Sequence, residues 1–195
     1  MAEFNDGVVS SESESLILVD ENDLEIGFDS KNSCHDGLGV LHRAFSLFVF
    51  NTAGELLLQQ RSAGKRLWPL YWSNSCCSHP RVGETMELAV NRRLLQELGI
   101  RCQLSYLYKF QYQARFGDLG SENELCSVYL GHSDDPVLAN PHEIAQWRFI
   151  TPLQLDREIR ETPQQFTPWF KLEWQRINQD WGDRFQTLIP QDSEE

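Results

Sequence analysis

His35, His42, His79, Glu122 and Glu124 are residue types that hold a divalent cation, and they come from three separate stretches of the chain. His35 and His42 bracket a glycine-containing loop. His79 closes Asn74-Ser75-Cys76-Cys77-Ser78-His79-Pro80, a small polar segment rich in ligand-type side chains. Cys77 and His79 are two apart, so an extended segment puts both on one side. Glu122 and Glu124 open a strand-like run to Leu130 and project from one of its faces. Carboxylates so placed raise each other's pKa unless a cation lies between them. Each feature has a plainer reading: a lone histidine is a core or surface residue, and the glutamate pair is a polar strand end. The functional readings are a shared metal site for the three histidines and, for the glutamates, a metal ligand pair of which one also serves as acid or base; spacing alone does not bring the two groups together.

A helix follows the Cys/His loop. Gly83 precedes it and Gly99 ends it, glycine being the residue that enters the left-handed cap cheaply. At about 100° per residue, Met86, Val90 and Leu94 form one apolar stripe, and Glu97 falls inside it with Arg93 one turn back. A carboxylate on a buried stripe is costly unless it is paired or binds a cation. An Arg93–Glu97 pair and a metal or phosphate site under the helix both satisfy that requirement.

The remaining elements frame these residues. Residues 1–15 are rich in Ser and Glu and read as a disordered acidic tail. Leu16–Val19 and Glu25–Phe28 read as paired strands, Arg43–Asn51 as a buried strand, and Glu55–Gln60 as its antiparallel return. Arg61-Ser62-Ala63-Gly64-Lys65-Arg66 is a basic cluster, either a solvated turn or a phosphate-binding element. The aromatic run Leu67–Trp72 is core, or a wall over an apolar ligand. Arg101–Leu107 and Tyr108–Arg115 read as two strands, and 140–150 as the last. Helices are expected from Thr151-Pro152 and over Pro168–Asp180, with Trp169 in the core or facing a cation. One domain over 16–185 and an acidic C-terminal tail over 186–195 complete the chain.

The 195 residues carry a net charge of −12, which disfavours nucleic-acid and anionic-membrane partners. No apolar run reaches the ~20 residues of a membrane helix, and the opening residues lack a secretory pattern. An odd number of cysteines, two of them adjacent, points to a reducing cytoplasm rather than a disulfide framework.

The run NSCCSHP, then GE, then a helix ending RRLLQELG, resembles the type I isopentenyl diphosphate isomerases, which have a Nudix-like α/β (α+β) fold of mixed and antiparallel sheets flanked by helices. Glu84, Arg92, Glu97 and Gly99 match the general Nudix signature. Ser78 stands at its first Gly, while Arg93 and Gln96 replace glutamates that hold metal in the diphosphate hydrolases. Those losses argue for the isomerase branch. The resemblance runs from about Lys31 to Trp169.

The resemblance implies interconversion of isopentenyl and dimethylallyl diphosphate, with Cys77 and Glu124 as the acid/base groups on opposite faces of the substrate and Tyr112 assisting Glu124. His35, His42, His79, Glu122 and Glu124 would bind one divalent ion, Mn2+ or Zn2+. Glu97 and the Cys77 backbone carbonyl would hold Mg2+ bridging to the diphosphate. Lys31, Arg61, Lys65, Ser78 and Arg93 would contact the diphosphate or magnesium site, and Trp169 the carbocation-like centre. Cys77 is preferred to Cys76 because it sits two before His79. The expected partner is a small molecule, and the expected state a monomer or weak homodimer. A diphosphate hydrolase and a non-catalytic zinc-type protein are the competing readings. The first lacks its glutamates, and the second leaves the basic cluster and Glu97 unexplained.

Overall fold

In the computed structural model, which describes residues 7–181, the chain runs β1 (Ser15–Val19), β2 (Glu25–Ser30), α1 (Lys31–Cys34), β3 (His42–Phe50), β4 (Leu56–Arg61), β5 (Trp72–Ser73), β6 (Cys76–Ser78), α2 (Met86–Leu98), β7 (Leu104–Phe116), β8 (Gly120–His132), β9 (Ile144–Ile150), α3 (Pro152–Glu161) and α4 (Pro168–Trp181). The strands join in one mixed sheet with β3 at its centre. One edge of β3 pairs in parallel with β8 along its whole length. The other edge is shared antiparallel by β1 at its start, β6 in its middle and β4 at its end.

Both faces of β3 are covered, which is why its sequence is an almost unbroken apolar run. Phe45, Leu47 and Val49 pack with Val90, Leu94 and Leu98 of α2 in one core. Ala44, Phe48 and Phe50 pack with Phe170, Trp174 and Ile177 of α4 in the other. The helix ends follow local chemistry. Thr85 caps α2 by accepting from the Leu88 amide, and Gly99 stops it at φ 71°. Thr151 and Gln154 form a capping box at the start of α3 behind Pro152.

Three expectations change. Residues 101–115 do not hold two strands: β7 is a single strand whose register shifts between Tyr106 and Tyr108, so a bulge bends it where a break was read. The return strand β4 touches β3 only at Phe50–Leu56, because β6 occupies the middle of that edge; β4 finds its long partner in β9. The N-terminal stretch is bonded to the body from residue 7 onward. Arg93 donates to the Val9 carbonyl, Asn140 to that of Gly7, and the Lys31 and Asn32 amides to those of Glu14 and Glu12. Its polar composition suits it to hydrogen bonding against buried charges rather than to a core. Residues 1–6 of the expected disordered tail, and the whole C-terminal tail over 186–195, lie outside the described residues.

Arg92 ties the loop before α2 to the helix. It donates to both carboxylate oxygens of Glu84 at 2.6 and 2.7 Å, to Gln96 at 3.2 Å and to the His79 carbonyl at 3.4 Å. Burial works against the Glu84 charge, but the Arg92 and Arg81 bonds outweigh it and hold the carboxyl below its ordinary value of 4.5. A depressed folded pKa means stability that is present above that value and lost as pH falls through the folded one. Arg92→Met is therefore expected to cost about 1–2 kcal/mol at pH 7, and the gap from the parent should narrow in urea titrations run below pH 4.5.

Candidate active site

The β3–β8 register sets His42 beside Glu124, and the β7–β8 register sets Tyr112 and Ala114 opposite Glu124 and Glu122. The two glutamates share the face of β8 that continues into Cys126, Val128 and Leu130 of the α4-side core. His79 follows β6, whose Ser78 pairs with Phe45 of β3. His35 follows α1, and its carbonyl accepts from the Ser121 amide at 2.9 Å.

Four segments thus deliver five buried side chains whose ligand atoms all lie within 4.8 Å of one another. Nε2 of His79 is 3.1 Å from Glu124 Oε1 and 3.2 Å from Nε2 of His42. His42 Nδ1 lies 2.7 Å from the Val40 carbonyl, which turns its Nε2 toward the cluster. His35 Nε2 and Glu122 Oε2 approach to 2.9 Å without the alignment of a hydrogen bond, and both are buried. Burial and the neighbouring imidazoles push His79 down to about 4, although the Glu124 carboxylate opposes them. His42 goes the other way: burial lowers it, and Glu124 and Glu122 outweigh that. Glu124 sits well below the usual carboxylate range because His42 and His79 overcome its burial. Buried imidazole nitrogens facing one another and unaligned carboxylate oxygens are a donor set that a divalent cation completes.

Beyond the cluster opens a cavity of about 430 Å³, its mouth included. Lys31, Arg61, Lys65 and Arg93 line it together with Cys77, Ser78, Tyr112, Trp169 and all members of the cluster except His42, which is fully buried. Arg93 is buried and pairs with Glu97 and Glu143; burial opposes its charge and the two carboxylates sustain it. Lys65 also pairs with Glu143, although burial draws its ammonium down. Arg61 donates to the Trp68 and Leu67 carbonyls and lies 5.2 Å from the Trp169 ring centroid. Arg66, the last of the basic run, turns away to Asp36, Asn32 and the Leu119 carbonyl.

Cys76 and Cys77 separate cleanly. Cys76 faces the α2-side core, fully buried. Cys77 faces the cavity, 2.8 Å from Asn74 Oδ1 and 3.3 Å from Trp169 Nε1. Burial, then the nearby Glu173 carboxyl, pushes its thiol up to about 12, with Arg61 opposing. Tyr112 donates to Glu124 Oε2 at 2.6 Å, and its ring lies 6.0 Å from that of Trp169.

Glu97 is the expected site residue that does not reach the cavity wall. It pairs with Arg93, meets Gln59 Nε2 at 3.5 Å and contacts the Cys76 thiol. Four participants went unread. Ser10 lines the cavity and bonds the Lys31 ammonium at 2.9 Å. Glu143 anchors two of the cations from a loop with no motif. Asn74 bonds the cavity cysteine, and its type and place just before Cys76-Cys77 were a signal. Glu173 is a fully buried carboxyl pushed up to about 8 by its burial, four residues after Trp169 on α4.

Residues 40–170 match the NUDIX domain family. Over 173 residues the chain is 44% identical to "Isopentenyl-diphosphate Delta-isomerase 1" of Photorhabdus laumondii, covering 88% of this chain and 98% of that relative. It is 39% identical to "Isopentenyl-diphosphate Delta-isomerase" of Pectobacterium atrosepticum, covering 85% and 92%. Among solved structures, a crystal structure of a Deinococcus radiodurans protein superposes with a TM-score of 0.63 at 26% identity, covering 76% of this chain and 90% of that one. A MutT protein from Methanosarcina mazei reaches 0.58 at 15% identity over 72% and 94%, a likeness of fold.

Gly120 opens β8 at φ 148°, and a Cβ there would fall 2.2 Å from the His35 carbonyl oxygen. Gly120→Ala is expected to displace His35 and weaken divalent-metal binding about 10–100-fold. Calorimetric titration with Mn2+ of the metal-stripped protein measures this, and parental affinity would contradict it.

Proposed function

The chain belongs to the isopentenyl-diphosphate Delta-isomerase family on a NUDIX domain, and from that premise we propose which of its side chains interconvert isopentenyl and dimethylallyl diphosphate. The reaction adds a proton to one carbon of the isoprenyl unit and removes another nearby, so it needs an acid and a base but no redox cofactor. The observation that carries the assignment is the shared cavity: Cys77 with Trp169 and the Glu124–Tyr112 pair open into the same space as four cations.

Lys31, Arg61, Lys65 and Arg93 receive the diphosphate, with Ser78 as a further donor. Charge-assisted bonds to its oxygens then orient the isoprenyl end. Glu124, bonded to Tyr112, gives or takes the proton on one face of the alkene. The Cys77 sulfur does so on the other. The cationic centre that forms between them lies by the Trp169 ring, whose face stabilises positive charge. For sulfur to take a proton it must first be a thiolate. Burial disfavours that form, while Arg61 and the Trp169 N–H favour it. Trp68 and Trp169 meet edge to face at 5.2 Å and help exclude water from a reactive cation and an allylic diphosphate.

The His/Glu cluster fits a divalent ion by its donor set. His35, His42, His79, Glu122 and Glu124 would hold Mn2+ or Zn2+, whose positive charge would lower the cost of an ionised Glu124. Glu97 stands behind the cavity wall in its pair with Arg93, so it and the Cys77 carbonyl would hold Mg2+ with the diphosphate only once that pair is exchanged.

Cys77→Ala and Glu124→Gln are each expected to abolish turnover, a loss of at least about 10³-fold, while leaving the melting temperature near that of the parent. Proton NMR of isopentenyl diphosphate with the protein, Mg2+ and Mn2+ in deuterated water should show dimethylallyl diphosphate carrying solvent deuterium. Phosphate release in its place would move the assignment to a hydrolase. Chelation should stop the reaction without unfolding the chain, and an undiminished rate in metal-free protein would sink the metal assignment.

A further inference from the structure

Asn74 lies in the turn between β5 and β6 and is fully buried. Its Nδ2 donates to the Leu47 carbonyl at 3.1 Å and to the Cys76 carbonyl at 2.9 Å. Both amide hydrogens are therefore engaged. Turned over, the amide would set its oxygen against two carbonyl oxygens, so the identity of its two ends is fixed by its neighbours. Oδ1 can then only accept, and two groups approach it: Ser73 Oγ at 3.0 Å and Cys77 Sγ at 2.8 Å.

That single constraint orders the hydrogens around the sulfur. Ser73 gives its hydrogen to Asn74, so Thr167, at 3.0 Å from Ser73 Oγ, must donate to Ser73. Cys77 gives its S–H to Oδ1. Trp169 Nε1, a donor only, gives its hydrogen to the sulfur from 3.3 Å. Ser73 Oγ also lies 3.6 Å from the sulfur, and with its hydrogen on Asn74 it offers Sγ only a lone pair, so the sulfur has its hydrogen directed to Asn74, one lone pair engaged by Trp169 and one left.

We propose that Asn74 is a positioning residue for Cys77: a clamped acceptor that fixes the S–H direction and the rotamer holding Sγ in the cavity wall. The proposal rests on the reading of Cys77 as an acid/base group. Asn74 does not touch the reacting carbons. Its effect reaches the chemistry through the sulfur, whose place in the cavity wall the bond holds; the hydrogen itself points at Asn74 and leaves that bond when it is given to carbon. The diphosphate contacts come from other side chains, so substrate affinity is not Asn74's to set.

The test joins Raman spectroscopy of the S–H stretch to kinetics. A difference spectrum between the parent protein and Cys77→Ser isolates the Cys77 band. That band is expected at lower frequency than that of an unbonded thiol, and in Asn74→Ala it should return to the unbonded position. Turnover of isopentenyl diphosphate by Asn74→Ala should fall about tenfold in kcat, with KM changed by less than about twofold. A Cys77 band at the unbonded position in the parent overturns the proposal. So does a folded Asn74→Ala with an unchanged kcat, or with its whole loss in KM. If Asn74→Ala does not fold, the parent spectrum decides alone. Failure of the isomerase reading would show separately, as a parent protein without turnover whose Cys77 band is still displaced.

Discussion

The in-register parallel pairing of β3 with β8, from His42–Glu124 to Phe50–His132, is the constraint on which the rest of the molecule depends. It sets a histidine beside a carboxylate at one end and builds two cores at the other. Side chains alternate along each strand, so a slip of one residue would send Glu122 and Glu124 to the α2 side and bring Leu125 into the cluster. The same parity governs the partners. Tyr112 meets Glu124 because β7 is in register with β8, and Cys77 faces the cavity because Ser46, its partner on β3, faces the α4 side. The placement of the cavity side chains is thus a by-product of ladder register, which many backbone hydrogen bonds enforce at once.

Around that frame the chain reconciles an excess of acid with a site for an anion. The net charge is −12, yet Lys31, Arg61, Lys65 and Arg93 converge on one cavity. Buried cations persist only with compensation. Here it comes from Glu97 and Glu143, two carboxylates held behind the cations, and from backbone carbonyls facing Arg61. The cavity therefore presents positive charge already ordered by negative charge at its back.

Much of this was legible in the sequence. The apolar run of β3, the glycine stop of α2, the Thr-Pro start of α3 and the two-residue spacing of Glu122 and Glu124 are local signals, and the structure follows them. The parallel β3–β8 partnership was not legible, because no local pattern states which distant strand a buried strand chooses. The Tyr106–Tyr108 bulge reads in sequence as a strand end. Residues 7–14 look disordered by composition, yet their backbone carbonyls meet Arg93 and Asn140, groups that no window around them contains. The cluster residues could be named from residue type and family resemblance, but Asn74 needed the directions of its hydrogen bonds. Glu97 shows the converse: its place on the buried stripe was readable, and its engagement by Arg93 rather than exposure to the cavity took coordinates to see.

The long separation between β3 and β8 also divides the His/Glu cluster into two parts along the chain. His35, His42 and His79 all precede the glutamates in the chain, His79 by 43 residues. Three imidazoles alone are a softer and incomplete donor set. The carboxylates join only when β8 zips against β3, a non-local closure that comes late in folding. The five-residue donor set is thereby complete only in the folded chain.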